Sequence, residues 1–372
     1  MEDPELTKLG SSLQVACVQE LAKNPIAAIP PRYLRPDQEP TNATSPLSIP
    51  VIDLQKLLST SHHDDDGDLK PELDSLHAAC RDWGFFQLMN HGVSESLIDK
   101  VKAEVEGFFN LPIEEKRKYW QRPGEMEGFG QAFVVSEEQK LDWGDLFYTT
   151  ILPKHLRKPH LFPRLPLPLR ETLEEYSAAL KGLSMNILDL MAEALRMDTG
   201  DMKVLFDEGW QKFRMNYYPP CPWPELVMGV NSHSDAAGLT ILLQVTTEIQ
   251  GLQVMKDGHW VPVVALPNAF IINIGDTLEI LSNGMYKSVE HRATVNSDKE
   301  RISFATFVSP KLDGDLGPAP SLLINTQAQP KYRRIGVADY FKGYFRRELA
   351  GKSYVDVMRI LPTLITPKAD PA

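Results

Sequence analysis

Nine histidines in 372 residues are few enough that every His-x-Asp pair merits inspection. There are three: His62-His63-Asp64, His63-Asp64-Asp65 and His233-Ser234-Asp235. About one such pair is expected by chance from these counts, so the pattern alone is weak. The first two lie in Ser61-His62-His63-Asp64-Asp65-Asp66-Gly67-Asp68, which reads as a solvated acidic loop with no rigid element to aim its side chains. His233 and Asp235 instead precede the strand-like run Leu239-Thr240-Ile241-Leu242-Leu243. In extended backbone, residues i and i+2 share a face, so imidazole and carboxylate could address one point. His291 ends a second run, Tyr286-Lys287-Ser288-Val289-Glu290. Two histidines and one carboxylate on a barrel rim would make a facial triad, which holds Fe(II) and leaves positions open. A surface His–Asp pair plus a core histidine fits these three residues equally well.

Arg301-Ile302-Ser303 follows His291 by ten residues. Arg301 and Ser303 again share a face. A guanidinium pairs with a carboxylate in two-pronged fashion, and a hydroxyl two residues on adds a hydrogen bond. Beside a metal triad, such a pair implies an anionic co-substrate reaching into the site; alone, Arg301 reads as a surface ion pair. Phe213-Arg214-Met215-Asn216-Tyr217-Tyr218-Pro219 precedes the triad, and Tyr218 could offer a phenol near the same end. No basic cluster accompanies Arg301, which points to a neutral, apolar substrate.

The elements that must position these residues fall into two textures. A short helical pattern surrounds Val15–Ala22, and Ile49–Leu54 reads as a buried strand. Helical spacing covers Glu72–Trp83, the stretch from the N-cap Ser94 to Phe109, and Glu114–Trp120. Phe85–Met89 reads as a strand closed by Asn90-His91-Gly92. Scattered glycines and aromatics fill 121–147, and Pro-rich 153–168 is a connector. A long amphipathic helix spans 169–196, with Leu173, Tyr176, Leu180, Leu183, Ile187 and Leu190 on one face. After about residue 210 short β-rich runs take over: Phe213–Tyr218, Thr240–Gln244, Gly251–Met255, Trp260–Val264, Ala269–Ile274, Leu278–Leu281, Lys287–His291 and Ile302–Val308. Asp257-Gly258 marks a hairpin. Helix resumes at Gly336–Arg347. Many short strands suggest a barrel or jelly roll wrapped by helices.

The balance of 39 basic against 50 acidic residues gives a net charge of −11, which argues against a general nucleic-acid binder. With 42% hydrophobic and 24% charged residues, the composition is that of a globular chain. Three cysteines, Cys17, Cys80 and Cys221, show no CxxC spacing, so a reduced, cytoplasmic compartment is expected. The acidic start, Met1-Glu2-Asp3-Pro4-Glu5, does not read as a signal peptide, and no apolar run approaches a membrane span.

Together these residues resemble the plant 2-oxoglutarate/Fe(II)-dependent dioxygenases over nearly the whole length. The carrying segments are His233-Ser234-Asp235, His291 after 55 intervening residues, Arg301-Ile302-Ser303 and Asn216-Tyr217-Tyr218-Pro219. Trp83-Gly84-Phe85-Phe86-Gln87-Leu88-Met89-Asn90-His91-Gly92 and Phe108-Phe109-Asn110-Leu111-Pro112 add to them. Ser12-Leu13-Gln14-Val15, Gln19-Glu20-Leu21-Ala22-Lys23, His155–Phe162 and Gly351-Lys352-Ser353-Tyr354 resemble the branch containing thebaine and codeine O-demethylases.

The resemblance implies an α+β fold, with a double-stranded β-helix (jelly roll) core and flanking helices. It divides the chain into an N-terminal extension (1–48), a mostly helical region (49–200), the catalytic β-helix (208–312) and a C-terminal helical segment and tail (313–372). It assigns iron to His233, Asp235 and His291, and 2-oxoglutarate to Arg301, Ser303 and Tyr218 with Asn216 nearby; His91 would be structural. O₂ is consumed, with ascorbate as reductant, and a monomer is the family's default. The substrate would be a ring-bearing specialised metabolite, such as an alkaloid or phenylpropanoid, oxidised by hydroxylation, O-demethylation or ring formation. Pocket candidates are Phe129, Gln131, Phe133, Phe147, Tyr148 and Phe307, although core packing is the commoner fate of each aromatic. Two rivals stand beside this reading. One is a 2-oxoglutarate-independent oxidase of the ACC-oxidase type, disfavoured by the doubled Tyr217-Tyr218. The other is a non-catalytic small-molecule binder on the same fold.

Overall fold

A computed structural model describes residues 9–39, 45–59, 71–348 and 350–360. The acidic run 61–68 with its two His-x-Asp pairs, the first eight residues and the tail from 361 lie outside the described residues.

The N-terminal half contributes α1 (Val18–Ala22), β1 (Val51–Asp53), α2 (Leu54–Ser59), α3 (Pro71–Ala78), β2 (Phe85–Met89), α4 (Glu95–Phe109), α5 (Ile113–Lys116), β3 (Gly128–Gly130), β4 (Asp145–Leu152), α6 (Leu167–Ala194) and α7 (Thr199–Phe206). A turn of π-helix, Ala79–Trp83, extends α3, so the helical spacing over 72–83 is observed with a change of winding. Ser94 caps α4 by accepting from the Leu97 amide. The C-terminal half supplies β5 (Trp210–Tyr218), β6 (Val230–His233), β7 (Leu239–Gln244), β8 (Leu252–Lys256), β9 (His259–Pro262), β10 (Phe270–Ile274), α8 (Asp276–Leu281), β11 (His291–Ala293), β12 (Arg301–Ser309), β13 (Asp315–Leu316), α9 (Pro320–Thr326), β14 (Ile335–Gly336), α10 (Val337–Tyr344) and α11 (Ser353–Asp356).

Two sheets build the core. The larger has eight strands in the order β1-β2-β10-β7-β12-β5-β4-β3, antiparallel apart from the β1–β2 pair; the smaller runs β6-β11-β8-β9. This is the jelly-roll core expected, and the large sheet recruits strands from both halves of the chain. Strand alternation sorts its side chains. On β12, Phe304 faces back into the main core, stacked on Tyr176 of α6 at 5.5 Å between centroids. Arg301, Ser303, Ala305 and Phe307 face forward, toward the small sheet. The apolar face of α6 read from the sequence is the face that covers the back of the sheet: Leu173, Tyr176, Leu180, Leu183, Ile187 and Leu190 are all buried there.

Two expected strands are corrected. Leu278–Leu281 lies in helix α8. A four-residue apolar run cannot be told from buried helix by period, and every residue of α8 is buried. The turn into α8 needs Gly275: a Cβ there would sit 2.0 Å from the Ala237 carbonyl oxygen. Lys287–His291 is not a strand that His291 ends; the strand begins at His291. Ahead of it the Ser288 amide is captured by the Glu279 carboxylate, 2.8 Å away, and not by a neighbouring strand. The Asp257-Gly258 hairpin is present, both residues at positive φ (49° and 81°) as a tight primed turn requires.

Candidate metal centre and cavity

His233 closes β6 and His291 opens β11, and the antiparallel register sets them directly opposite. Their rings lie 4.3 Å apart, centroid to centroid. Asp235 follows β6 by two residues. Its Oδ1 lies 3.5 Å from His233 Nε2 and its Oδ2 3.7 Å from His291 Nε2. The three candidate donor atoms fall within 4.8 Å of one another, the one such group among the described residues.

The surroundings orient each ligand. His233 Nδ1 is 2.7 Å from the Asn231 carbonyl and His291 Nδ1 is 3.2 Å from the Val289 carbonyl. A carbonyl only accepts, so both Nδ1 atoms carry hydrogen and both Nε2 lone pairs turn toward Asp235. Asp235 Oδ2 accepts from Thr240 Oγ1 (2.7 Å) and Asn273 Nδ2 (2.8 Å). Burial alone would raise the Asp235 carboxyl, but His291, His233 and the Asn273 amide outweigh it and hold it well below the usual carboxylate range. Burial and the neighbouring His233 push His291 down to about 4, which leaves it neutral at pH 7. Two imidazoles with their Nε2 atoms turned inward and one ionised carboxylate, open on the cavity side, are the donor set that suits Fe(II).

The strand carrying His233 is completed by a distant part of the chain. Gly351 bridges it, its amide donating to the Ser232 carbonyl (2.9 Å) and its carbonyl accepting from the Ser234 amide (3.2 Å). Lys352 and Arg359 anchor this return on the buried Glu279 at 2.7 and 3.0 Å.

Across the cavity, β5 and β12 pair Arg301 with Tyr218 and Ser303 with Asn216. The Arg301 guanidinium is buried, donates to Gln244 Oε1 at 2.7 Å, and lies 5.2 Å from the Tyr218 ring centre. Its Nε has no partner, nor does Asn216 Oδ1. No carboxylate of the described residues pairs with this arginine, so a buried cation is left for an anion from outside. The wall is tight: a Cβ on Gly251 would lie 2.9 Å from Arg301 Cδ. Arg301, Ser303, Asn216, Tyr218 and the three metal-ligand candidates line one cavity of about 510 Å³. The fit to a dicarboxylate that reaches both metal and arginine is therefore good.

A second cavity of similar size, the outer one by its contact with the α10 region, adjoins the first and shares Arg214, His233, Asp235 and Phe307 with it. Of the six pocket candidates, Phe133, Tyr148 and Phe307 line it. Three other pocket candidates sit elsewhere. Phe147 and Phe129 are register partners on the opposite face of β4 and β3, buried around Phe108 in the main core. Gln131 is turned away, its amide donating to the Asp142 carbonyl at 3.1 Å. The sequence reading missed Trp210, Lys212 and Arg214, which line the outer cavity together with Phe341, Tyr344 and Phe345 of the α10 region. Counting back in steps of two from Tyr218 would have found the first three, because β5 puts Asn216, Arg214, Lys212 and Trp210 on one face. The expectation that no basic cluster accompanies Arg301 is thereby corrected: Arg214 and Lys212 both face the outer cavity. His91 lies away from this site. It accepts from the Val93 amide (3.2 Å) and meets the Asn268 carbonyl (3.1 Å), as a structural turn residue does.

Residues 209–310 match the 2OG-Fe(II) oxygenase superfamily, and residues 49–165 match the N-terminal region of the non-haem dioxygenases in morphine synthesis. The chain is 56% identical to oxoglutarate-dependent flavonoid 7-O-demethylase 1 of Ocimum basilicum, covering 96% of this chain and 94% of that protein. It is 50% identical to codeine O-demethylase of Papaver somniferum, over 97% of this chain and 100% of that one. Among solved structures, JOX2 in complex with 2OG, Fe and JA superposes with a TM-score of 0.83 at 37% identity, covering 93% of this chain and 98% of that one. The His-Asp-His cluster and its neighbouring buried arginine thus sit in a protein that belongs to the 2OG-Fe(II) oxygenase superfamily, with Fe(II) and 2-oxoglutarate as its cofactors.

Proposed function

We propose that this chain is an O-demethylase of a methoxylated, ring-bearing small molecule, with His233, Asp235 and His291 holding iron and Arg301, Ser303, Tyr218 and Asn216 receiving 2-oxoglutarate. The observation that carries it is the single cavity in which the triad and a buried, carboxylate-free Arg301 face each other. The names of the basil and poppy relatives support the O-methyl group as the point of attack. Iron and 2-oxoglutarate, when bound, supply the oxidising power, consuming O₂ and leaving succinate and CO₂.

The chain's own residues do the rest. The Nδ1–carbonyl contacts hold both imidazoles in the ligating tautomer. Arg301 takes the far carboxylate of the co-substrate, and Ser303 adds a hydroxyl donor. Phe133, Tyr148, Phe307, Tyr344 and Phe345 exclude water and hold the substrate ring so that one methyl group faces the metal. Hydroxylation of an O-methyl carbon gives a hemiacetal, which falls apart to a phenol and formaldehyde. Three buried, unpaired thiols support a reducing, cytoplasmic setting. No helix among the described residues is long and apolar enough to cross a membrane.

The test is an anaerobic optical titration with Fe(II) and then 2-oxoglutarate, followed by aerobic turnover of methoxylated aromatics with succinate and formaldehyde both measured. The reading expects a metal-to-ligand charge-transfer band and equimolar products. A band without formaldehyde from any methoxylated substrate would discard demethylation and leave hydroxylation or ring formation.

A further inference from the structure

The wall between the outer cavity and a third one, of about 500 Å³, is made by Trp210, Lys212 and Phe345, which line both. Lys212 is the unusual member. Its side chain is 10% exposed and points among three aromatic rings, with Nζ 4.5 Å from the Trp210 centre, 4.8 Å from Tyr148 and 5.4 Å from Phe345. An ammonium has three donors. Among the described residues Lys212 has one hydrogen-bond acceptor, Glu127 Oε1, at a long 3.5 Å. Glu127 is itself committed: its oxygens accept from the Thr150 amide (2.8 Å) and Thr150 Oγ1 (2.9 Å). Lys212 therefore keeps spare donors where aromatic and other apolar side chains make up most of the wall. Its neighbour on the same strand face, Arg214, has an Nε without a partner.

Two consequences follow from charge. A buried donor with spare capacity rewards a ligand oxygen that can accept from it, and more so because the donor is charged. The aromatic cage, which could otherwise cradle a ligand's cationic amine, already holds the chain's own cation. Resting on the reading of this cavity as the substrate site, we infer that Lys212 is a specificity-determining residue, selecting ring compounds that present a ketone or phenolate oxygen at the end away from the oxidised methyl and rejecting those that carry a protonated amine.

The experiment uses the iron-loaded protein with 2-oxoglutarate under anaerobic conditions. Binding is followed by tryptophan fluorescence, since Trp210 lies in the cage. The probes are 7-methoxyflavone, 7-methoxyflavan (the same ring system without the ketone) and codeine as the protonated amine. The wild type should bind the flavone about tenfold or more tightly than the flavan, and codeine most weakly. Lys212→Met should reduce the flavone-to-flavan ratio to about one and strengthen codeine. Because that change strands a buried carboxylate, Lys212→Met with Glu127→Gln is measured beside it and should show the same loss of preference; Lys212→Arg should keep part of it. A wild type that binds the flavone no better than the flavan, or binds neither, overturns the inference. So does a preference that survives in both Lys212→Met proteins. Succinate release separates this from the reading it rests on: turnover with an unchanged ratio sinks Lys212 alone, whereas a ratio that depends on Lys212 without formaldehyde keeps the selector and discards demethylation.

Discussion

The inner and outer halves of the active cavity are built in different ways. At the inner end the polar groups, Asp235 just past β6 excepted, hang from strands whose register is fixed by their neighbours: Arg301 opposite Tyr218, Ser303 opposite Asn216, His291 opposite His233. Changing any spacing there would slip a whole ladder and turn each side chain to the wrong face. At the outer end residues of that sheet, Tyr148 on β4 and Trp210 where β5 starts, meet pieces from outside its ladders: Phe133 after β3, and Phe341, Tyr344 and Phe345 around α10. These contacts are aromatic, such as the 5.8 Å edge contact of Phe133 with Tyr344, and no ladder register depends on them. A co-substrate common to a whole family is met by rigid sheet. A substrate that differs from relative to relative is met by side chains that can change without disturbing that sheet.

Substitutions can break or sharpen this contrast. The largest effect is expected at the triad. His233→Ala or Asp235→Ala should reduce both the charge-transfer band and succinate formation to background, while circular dichroism stays that of a folded protein. Next comes Arg301→Ala, which removes a buried charged donor. That should raise the 2-oxoglutarate concentration needed for half-maximal turnover by about a hundredfold; an unchanged requirement would detach Arg301 from the co-substrate. Thr240→Val and Asn273→Leu leave the ligands in place but strip hydrogen bonds from Asp235. Iron affinity, measured by titration, should fall about tenfold to a hundredfold in each. The smallest effect belongs to the outer half. Phe133→Leu should raise KM for an aromatic substrate by up to about tenfold with little change in kcat. If it instead weakened 2-oxoglutarate binding as much as Arg301→Ala does, the division into two halves would be wrong.

The inner half was legible in the sequence because its signals are local. His-x-Asp and Arg-x-Ser each put two groups on one face at a separation of two, and only His291 had to be found at a distance. The outer half was not. Phe129 and Phe147 look identical to Phe133 and Tyr148 in composition, and only the pairing of β3 with β4 decides which side of the sheet each takes. β4 itself hid among glycines and aromatics because seven of its eight residues are buried, which erases the alternation that marks a half-exposed strand. Lys212 was hidden for another reason: a lysine in a strand reads as solvent-facing until three rings are seen to enclose it. Leu278–Leu281 was misread because burial on all sides leaves no period to follow.

The bridge from Gly351 to the strand of His233 has a consequence for how the protein comes into being. β6 is an edge strand of the small sheet, and the outer backbone groups of Ser232 and Ser234 are met by Gly351, more than a hundred residues further on. Synthesis runs from the N-terminus, so a ribosome-bound chain can fold the large sheet and its helical cover while this edge is still open. The metal centre is thus not completed before Gly351 has docked, and a chain clipped ahead of Gly351 would keep most of its core while losing the brace on an iron ligand. Loading with iron then serves as a readout of whether that return has docked on the strand of His233.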